Sequence, residues 1–233
     1  MHYFALLLGP EPTTPPSPAE MAAEMAAYQD FHQRVASSIR AGDALTPPST
    51  AVRISGGPDA PVITEGPFAE AAEVAGGYYV FEADDLDEAL AIARGIPAAE
   101  YGAVEVWPMI DWRTPARAVA NDWLALLLEA PQDAVAPGTA EWDNCTRQHE
   151  EFGRTAGDHV LGGAALDLPS TATTVRVRDG KVSLTDGPFA EGTEVASGFY
   201  LLTAADRDEA VKLASLIPAS TVEVRQLAGV SGL

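Results

Sequence analysis

The sequence predicts an α+β protein: two ferredoxin-like β-α-β-β-α-β repeats whose sheets pack together as an intrachain pseudo-dimeric α/β barrel. Three observations carry this. The stretch TEGPFAEAAEVAGGYYVF from Thr64 reappears as TDGPFAEGTEVASGFYLL from Thr185, an offset of 121 residues. The same offset pairs Asp87-Glu88-Ala89 with Asp208-Glu209-Ala210, Ile96-Pro97-Ala98 with Ile217-Pro218-Ala219, Pro48-Ser49-Thr50-Ala51 with Pro169-Ser170-Thr171-Ala172, and Phe31 with Phe152. Each copy also shows the same succession of strand, amphipathic helix, hairpin, apolar strand, capped helix and strand. After Ile-Pro-Ala the second copy is three residues shorter, so VEV at Val104 aligns with VEV at Val222.

Copy one opens with a strand over Tyr3 to Leu8. The prolines that follow (Pro10, Pro12, Pro15, Pro16, Pro18) exclude regular structure. Met21, Met25, Tyr28, His32 and Val35 then recur at helical spacing, so a helix over 19–40 turns that stripe toward a sheet. The matching elements of copy two are a strand over 123–128 and a helix over 139–155. A hairpin comes next. In copy two it spans 174–184, and Asp179-Gly180 between alternating residues predicts a type I′ turn. Copy one has a looser loop, Ser55-Gly56-Gly57-Pro58-Asp59. After the signature loop come apolar strands over Tyr78 to Phe81 and Phe199 to Leu202. Asp85-x-x-Glu88 and Asp206-x-x-Glu209 are capping boxes, each satisfying orphan amides of the second helix. Ile-Pro stops that helix, and the VEV strand closes the unit. Both helices then lie on one sheet face, and the other apolar face needs the second copy as its cover. The expected divisions are repeat one over 1–112, a linker with Pro115 over 113–122, and repeat two over 123–233.

The 233 residues carry 14 Lys and Arg against 34 Asp and Glu, a formal charge of −20. Phosphate neutralisation needs clustered cations, so nucleic acid and anionic membranes are excluded as partners. One cysteine, Cys145, allows no intrachain disulfide. No stretch supplies the roughly 20 apolar residues of a spanning helix. The N-terminus lacks the basic leader of a signal peptide, so a cytoplasmic location is expected. His2, His32, His149 and His159 show no metal-ligand spacing, and no phosphate-loop or nucleophile-elbow motif is present. The expectation is no metal and no cofactor.

At Asp186-Gly187-Pro188-Phe189-Ala190-Glu191 the chain resembles the YCII-related superfamily, in the branch named for its DGPF motif. The GFYLL strand, the Asp-Glu-Ala helix, the Ile-Pro-Ala end and the VEV strand also fit that family. The resemblance implies the dimeric α/β-barrel fold, normally made by two chains and imitated here by a fused pair. It implies acid–base chemistry by a His on the first helix with an Asp. Barrel relatives include cofactor-free isomerases, dehalogenating enzymes and monooxygenases, and DGPF proteins also accompany extracytoplasmic-function sigma factors. The family His falls on His149, with Tyr28 at the matching place in copy one. The family Asp falls on Ile96 and Ile217, so an acid partner must come from elsewhere, with Asp186 the leading candidate.

Cys145, His149 and Phe152 share one helix face by their i, i+4, i+7 spacing. An imidazole half-buried beside a carboxylate can act as general base near neutral pH. A rim histidine bonded to a backbone carbonyl is the structural alternative. Asp186 can touch a ligand or simply shape the turn before Gly187-Pro188, where copy one has Glu65. Phe68 and Phe189 can plug an apolar gap between loop and helix. Cys145 is expected to behave as a small hydrophobe rather than a nucleophile. Glu70, Glu73, Glu191 and Glu194 can pair with Arg53 and Arg176, although solvated loop charges are the expectation. The leading function is a cofactor-free enzyme moving protons on a small organic molecule by isomerisation, cyclisation or elimination. Its pocket would lie between sheet and first helix of copy two, with His149 as base and Asp186 orienting or protonating. Tyr28, Glu65, Phe68, Cys145, Phe152 and Phe189 would line it. The alternative is a non-catalytic ligand-binding or regulatory module, with a sigma factor as partner. A further homodimer of the pseudo-dimer stays open.

Overall fold

The computed structural model describes residues 1–10, 14, 16–68, 73–189 and 194–231. Copy one runs β1 (His2–Gly9), α1 (Pro18–Val35), β2 (Ile39–Ala44), β3 (Val52–Ser55), β4 (Val62–Glu65), β5 (Val74–Glu82), α2 (Leu86–Ala93), α3 (Ala98–Tyr101) and β6 (Ala103–Arg113). Copy two runs β7 (Trp123–Glu129), α4 (Ala140–Ala156), β8 (Val160–Leu166), β9 (Thr173–Arg178), β10 (Lys181–Asp186), β11 (Val195–Leu202), α5 (Arg207–Ala214) and β12 (Thr221–Gln226). Pro12 and Pro15 of the expected connection, and Glu70 and Glu191 of the two signatures, lie outside the described residues.

The ferredoxin-like cores are the antiparallel orders β2-β5-β1-β6 and β8-β11-β7-β12. The sequence predicts the helix to be followed directly by the hairpin. In fact α1 ends at Val35, and a strand, β2 or β8, comes before the hairpin in each copy. Those strands hid because glycine breaks their alternation, and the glycines are there for close packing. A Cβ on Gly42 would lie 2.3 Å from the Tyr79 ring, and one on Gly163 would lie 2.5 Å from the Phe199 carbonyl.

The hairpins leave their own copy. β3 pairs with β12, setting Arg53 opposite Glu223, and β9 pairs with β6, setting Thr174 opposite Glu105. Each last strand is therefore extended by two strands of the other copy. Asp179 and Gly180 take the positive φ values of a type I′ turn, 51° and 72°. Two pseudo-equivalent seams close the barrel. β6 continues onto β8 through Met109↔Leu166 and Ile110↔Ala165, and Leu45 bridges Leu227 past the end of β12.

Alternation along each strand divides the core into three layers. Phe4, Leu6, Tyr78, Val80, Trp107, Leu124, Leu126, Phe199 and Leu201 fill the barrel between the copies. Phe4 and Phe199, one from each half, stack with ring centroids 4.5 Å apart. The alternate residues face the helices: Tyr3, Ala5, Tyr79 and Phe81 against Phe31, Ala89 and Ile92, and Trp123, Ala125, Leu202 and Val224 against Phe152 and Ala210. The expected stripe on α1 is buried only in its last turns. Phe31 is fully buried with Tyr28 and Val35 beside it, whereas Met21 and Met25 are exposed.

Ser17 caps α1 by accepting from the Glu20 amide, and the Glu20 carboxylate accepts in return from the Ser17 amide. Asp85 and Asp206 cap α2 and α5, but Glu88 and Glu209 reach back one residue further than a capping box requires, to the amides of Asp84 and Ala205. Buried Asp43 accepts from the backbone amides of Gly229, Val230 and Ser231 and fastens the C-terminal end to β2. No helix among the described residues is long and apolar enough to cross a membrane.

Candidate functional site

The helix–sheet layer of copy two holds the first candidate. The Thr139 hydroxyl accepts from the Trp142 amide and starts α4. Three and four residues per step then place half-buried Cys145, half-buried His149 and buried Phe152 on the sheet-facing side. From β11, Tyr200 faces the helix while Leu201 faces the barrel. His149 Nδ1 lies 2.9 Å from the Tyr200 hydroxyl, and Phe152 sets its ring edge-on to Tyr200 at 5.0 Å between centroids. Burial pushes the His149 imidazole below its ordinary value of 6.5 and the Tyr200 phenol up to about 12. At neutral pH the pair is thus a neutral imidazole beside a protonated phenol. In the tautomer where Nδ1–H donates to the Tyr200 oxygen, Nε2 keeps a basic lone pair and the phenol O–H is free to donate outward. Trp123 Nε1, in the same layer, is buried without a hydrogen-bond partner among the described residues.

Copy one has its own such pair, which sequence alignment misses. Tyr79 is the counterpart of Tyr200, and His32 Nε2 lies 2.6 Å from its hydroxyl. His32 does not match His149 in the repeat: its counterpart is Gly153, one helical turn later. The imidazole reaches the same phenol from the next turn and offers the other ring nitrogen. Burial lowers the His32 pKa as well. Tyr28, the counterpart of His149, turns instead to Tyr101, with the hydroxyls 3.4 Å apart.

The signature loops serve a different place. Asp186 is exposed at the end of β10, opposite Thr173, and no hydrogen bond or ion pair joins it to His149 among the described residues. Because β9 and β10 cross over, Asp186 and Phe189 reach the sheet of copy one, while His149 lies on that of copy two. Tyr28 also belongs to the layer of copy one. The expected wall of Asp186, Tyr28 and Phe189 around His149 is therefore not assembled. The Phe189 amide donates to buried Glu105 at 2.6 Å, and Trp107 Nε1 donates to the same carboxylate at 3.1 Å. Burial raises the Glu105 pKa. Arg176 lies 4.5 Å over the Phe189 ring and pairs with Glu73 at 2.9 Å. The mirror arrangement has Arg53 4.5 Å over Phe68, 3.0 Å from Glu223 and 3.8 Å from Glu194. Phe68 and Phe189 thus lie under arginines at a strand edge rather than in a loop–helix gap. Glu73 and Glu194 are paired rather than solvated, and Glu65 pairs with Arg207 at 3.1 Å.

Comparison with known proteins gives three findings. A family model described as the YCII-related domain matches the chain twice, over residues 2–113 and 124–228. An uncharacterized protein of Rhizobium meliloti (strain 1021) is 46% identical over 55 residues, which are 23% of this chain and 44% of that protein. The chain thus spans less than half the length of that curated relative. Among solved structures, "Putative Chlorite dismutase TA0507" aligns over 99% of this chain and 97% of its own, with a TM-score of 0.45 and 6% identity.

Proposed function

The chain belongs to the YCII-related domain family, with two matches in one polypeptide, and from that premise we propose that it is a cofactor-independent enzyme moving protons on a small organic molecule. The observation that carries the reading is the 2.9 Å contact of a desolvated, neutral His149 with Tyr200 between α4 and β11. His149 Nε2 removes a proton from an activated C–H. The Tyr200 O–H donates to the adjacent carbonyl oxygen and stabilises the enolate. Return of the proton from Nε2 to a different carbon completes an isomerisation, and departure of a β-leaving group completes an elimination. Tyr200 here takes the role the sequence suggested for Asp186. Cys145 and Phe152 share the sheet-facing side of α4 with His149.

The test is exchange of carbon-bound hydrogen in D2O, followed by proton NMR over a panel of small keto acids and enolisable ketones. At least one should exchange, and His149→Gln should slow it by roughly a hundredfold or more. Tyr200→Phe should slow it by about tenfold. Undiminished exchange in His149→Gln would remove the assignment. One observation favours a second reading: no carboxylate contacts either imidazole among the described residues. A binding or regulatory module, including one serving a sigma factor, tolerates that. Silence toward every carbon acid, together with co-purification of a sigma factor, would select it.

A further inference from the structure

The two copies part company after Ile-Pro-Ala. The three extra residues of copy one help build the single turn α3, which copy two lacks. Gly102 ends the turn so close to β1 that a Cβ would lie 1.9 Å from the Leu8 carbonyl oxygen, so a side chain cannot be accommodated. Tyr101 is thereby laid across Gly9, where a Cβ would meet its ring at 3.3 Å. Its hydroxyl donates to Glu24 Oε1 at 3.1 Å and lies 3.4 Å from the hydroxyl of Tyr28. Glu24 and Tyr28 are one turn apart on α1. The counterparts of these two residues in copy two are Cys145 and His149, and Tyr101 has none.

The oxygens of Glu24, Tyr101 and Tyr28 therefore form one hydrogen-bonded run at the surface, with Glu24 and Tyr101 exposed and Tyr28 half-buried, and among the described residues copy two has no equivalent. With Tyr28 donating to Tyr101 and Tyr101 donating to Glu24, both phenolic hydrogens are used. What the cluster still offers is lone pairs, so it can bind only a donor. Glu24 has no basic partner among the described residues. A primary ammonium carries three N–H donors on one cationic centre, which matches a carboxylate and two phenol oxygens. The phenol rings add attraction for a cation, and the net charge of −20 concentrates cations around the molecule. We propose that copy one holds a binding site for the protonated primary amine of a small organic molecule, with Glu24, Tyr28 and Tyr101 as its ligands. The site is independent of the acid–base chemistry assigned to His149.

The test is NMR of protein labelled at tyrosine, titrated at constant ionic strength with butylammonium, tetramethylammonium and 1-butanol. Butylammonium should shift the Tyr28 and Tyr101 signals saturably. Tetramethylammonium, which has the charge but no N–H, and neutral butanol should bind at least about tenfold more weakly. Glu24→Gln, an exposed change, should weaken butylammonium by about tenfold, Tyr101→Phe by less, and His149→Ala not at all. Equal binding of tetramethylammonium, an unaltered affinity in Glu24→Gln, or no saturable shift would overturn the proposal. Tighter capture of a lysine peptide than of butylammonium would overturn its small-molecule part.

Discussion

The outer layers of the two copies place a tyrosine at the same point, Tyr79 and Tyr200, and each meets an imidazole. The imidazoles come from different turns, His32 and His149, because a helix lying along a strand offers one phenol two positions four residues apart. The strand partner is held by sheet register; the helix partner is free to move by a turn. The paired glutamates differ more sharply. Glu223 stands opposite Arg53 and binds it, whereas Glu105 stands opposite Thr174 and has, among the described residues, only amide and indole donors. One copy therefore carries a neutralised carboxylate where the other carries a buried one, on the same strand position.

The equivalence is most strongly tested in the barrel. Phe199→Ala should cost about 3–5 kcal/mol in urea unfolding. At the matching place Tyr78 carries a buried hydroxyl without a hydrogen-bond partner among the described residues, so Tyr78→Phe should raise stability by about 1 kcal/mol. A loss of similar size would mean that the hydroxyl is used. Next in size, Arg53→Ala should cost about 1–2 kcal/mol and Arg176→Ala about 1 kcal/mol, because among the described residues Arg53 serves two carboxylates and Arg176 one. Equal costs would break that asymmetry. The buried carboxylate sharpens the contrast through pH. The Glu105 pKa is raised on folding, so its contribution is greatest below the ordinary value of 4.5 and falls as pH rises through the folded value. Glu105→Gln should flatten this slope, and Glu223→Gln should leave it in place. The smallest effects belong to the imidazoles. Both pKa values are lowered on folding, so their contribution is present above 6.5 and is lost as pH falls below it. Titration by NMR should give midpoints under 6.5 for both, and His149→Gln should remove only its own share of the slope.

The repeat, the caps on α2 and α5, the type I′ turn and the barrel were all legible in the sequence. Each rests on local chemistry or on a face that must be covered. β2 and β8 were not, because Gly42, Gly162 and Gly163 interrupt the two-residue period that marks a strand. Nor was the crossing of the hairpins, since pairing partners are chosen by the assembled sheet and not by the pairing segment. That crossing is also what separates Asp186 from His149. The stripe from His149 to Phe152 was readable from spacing. Its partner Tyr200 was visible only as one residue of an apolar strand, and His32 was hidden by an alignment that compares equal positions rather than equal destinations.

The exchange of β3-β4 and β9-β10 between the halves has an evolutionary consequence. In a barrel of two identical chains, every substitution appears on both sides of the two-fold axis, and a harmful effect is doubled along with a useful one. A single gene encoding both halves lifts that coupling while the crossed hairpins keep the halves interlocked. Each mutation then falls on one side only. One half can hold its residues while the other drifts, and α3 with Tyr101 in the first half alone is a difference that two identical chains could not carry.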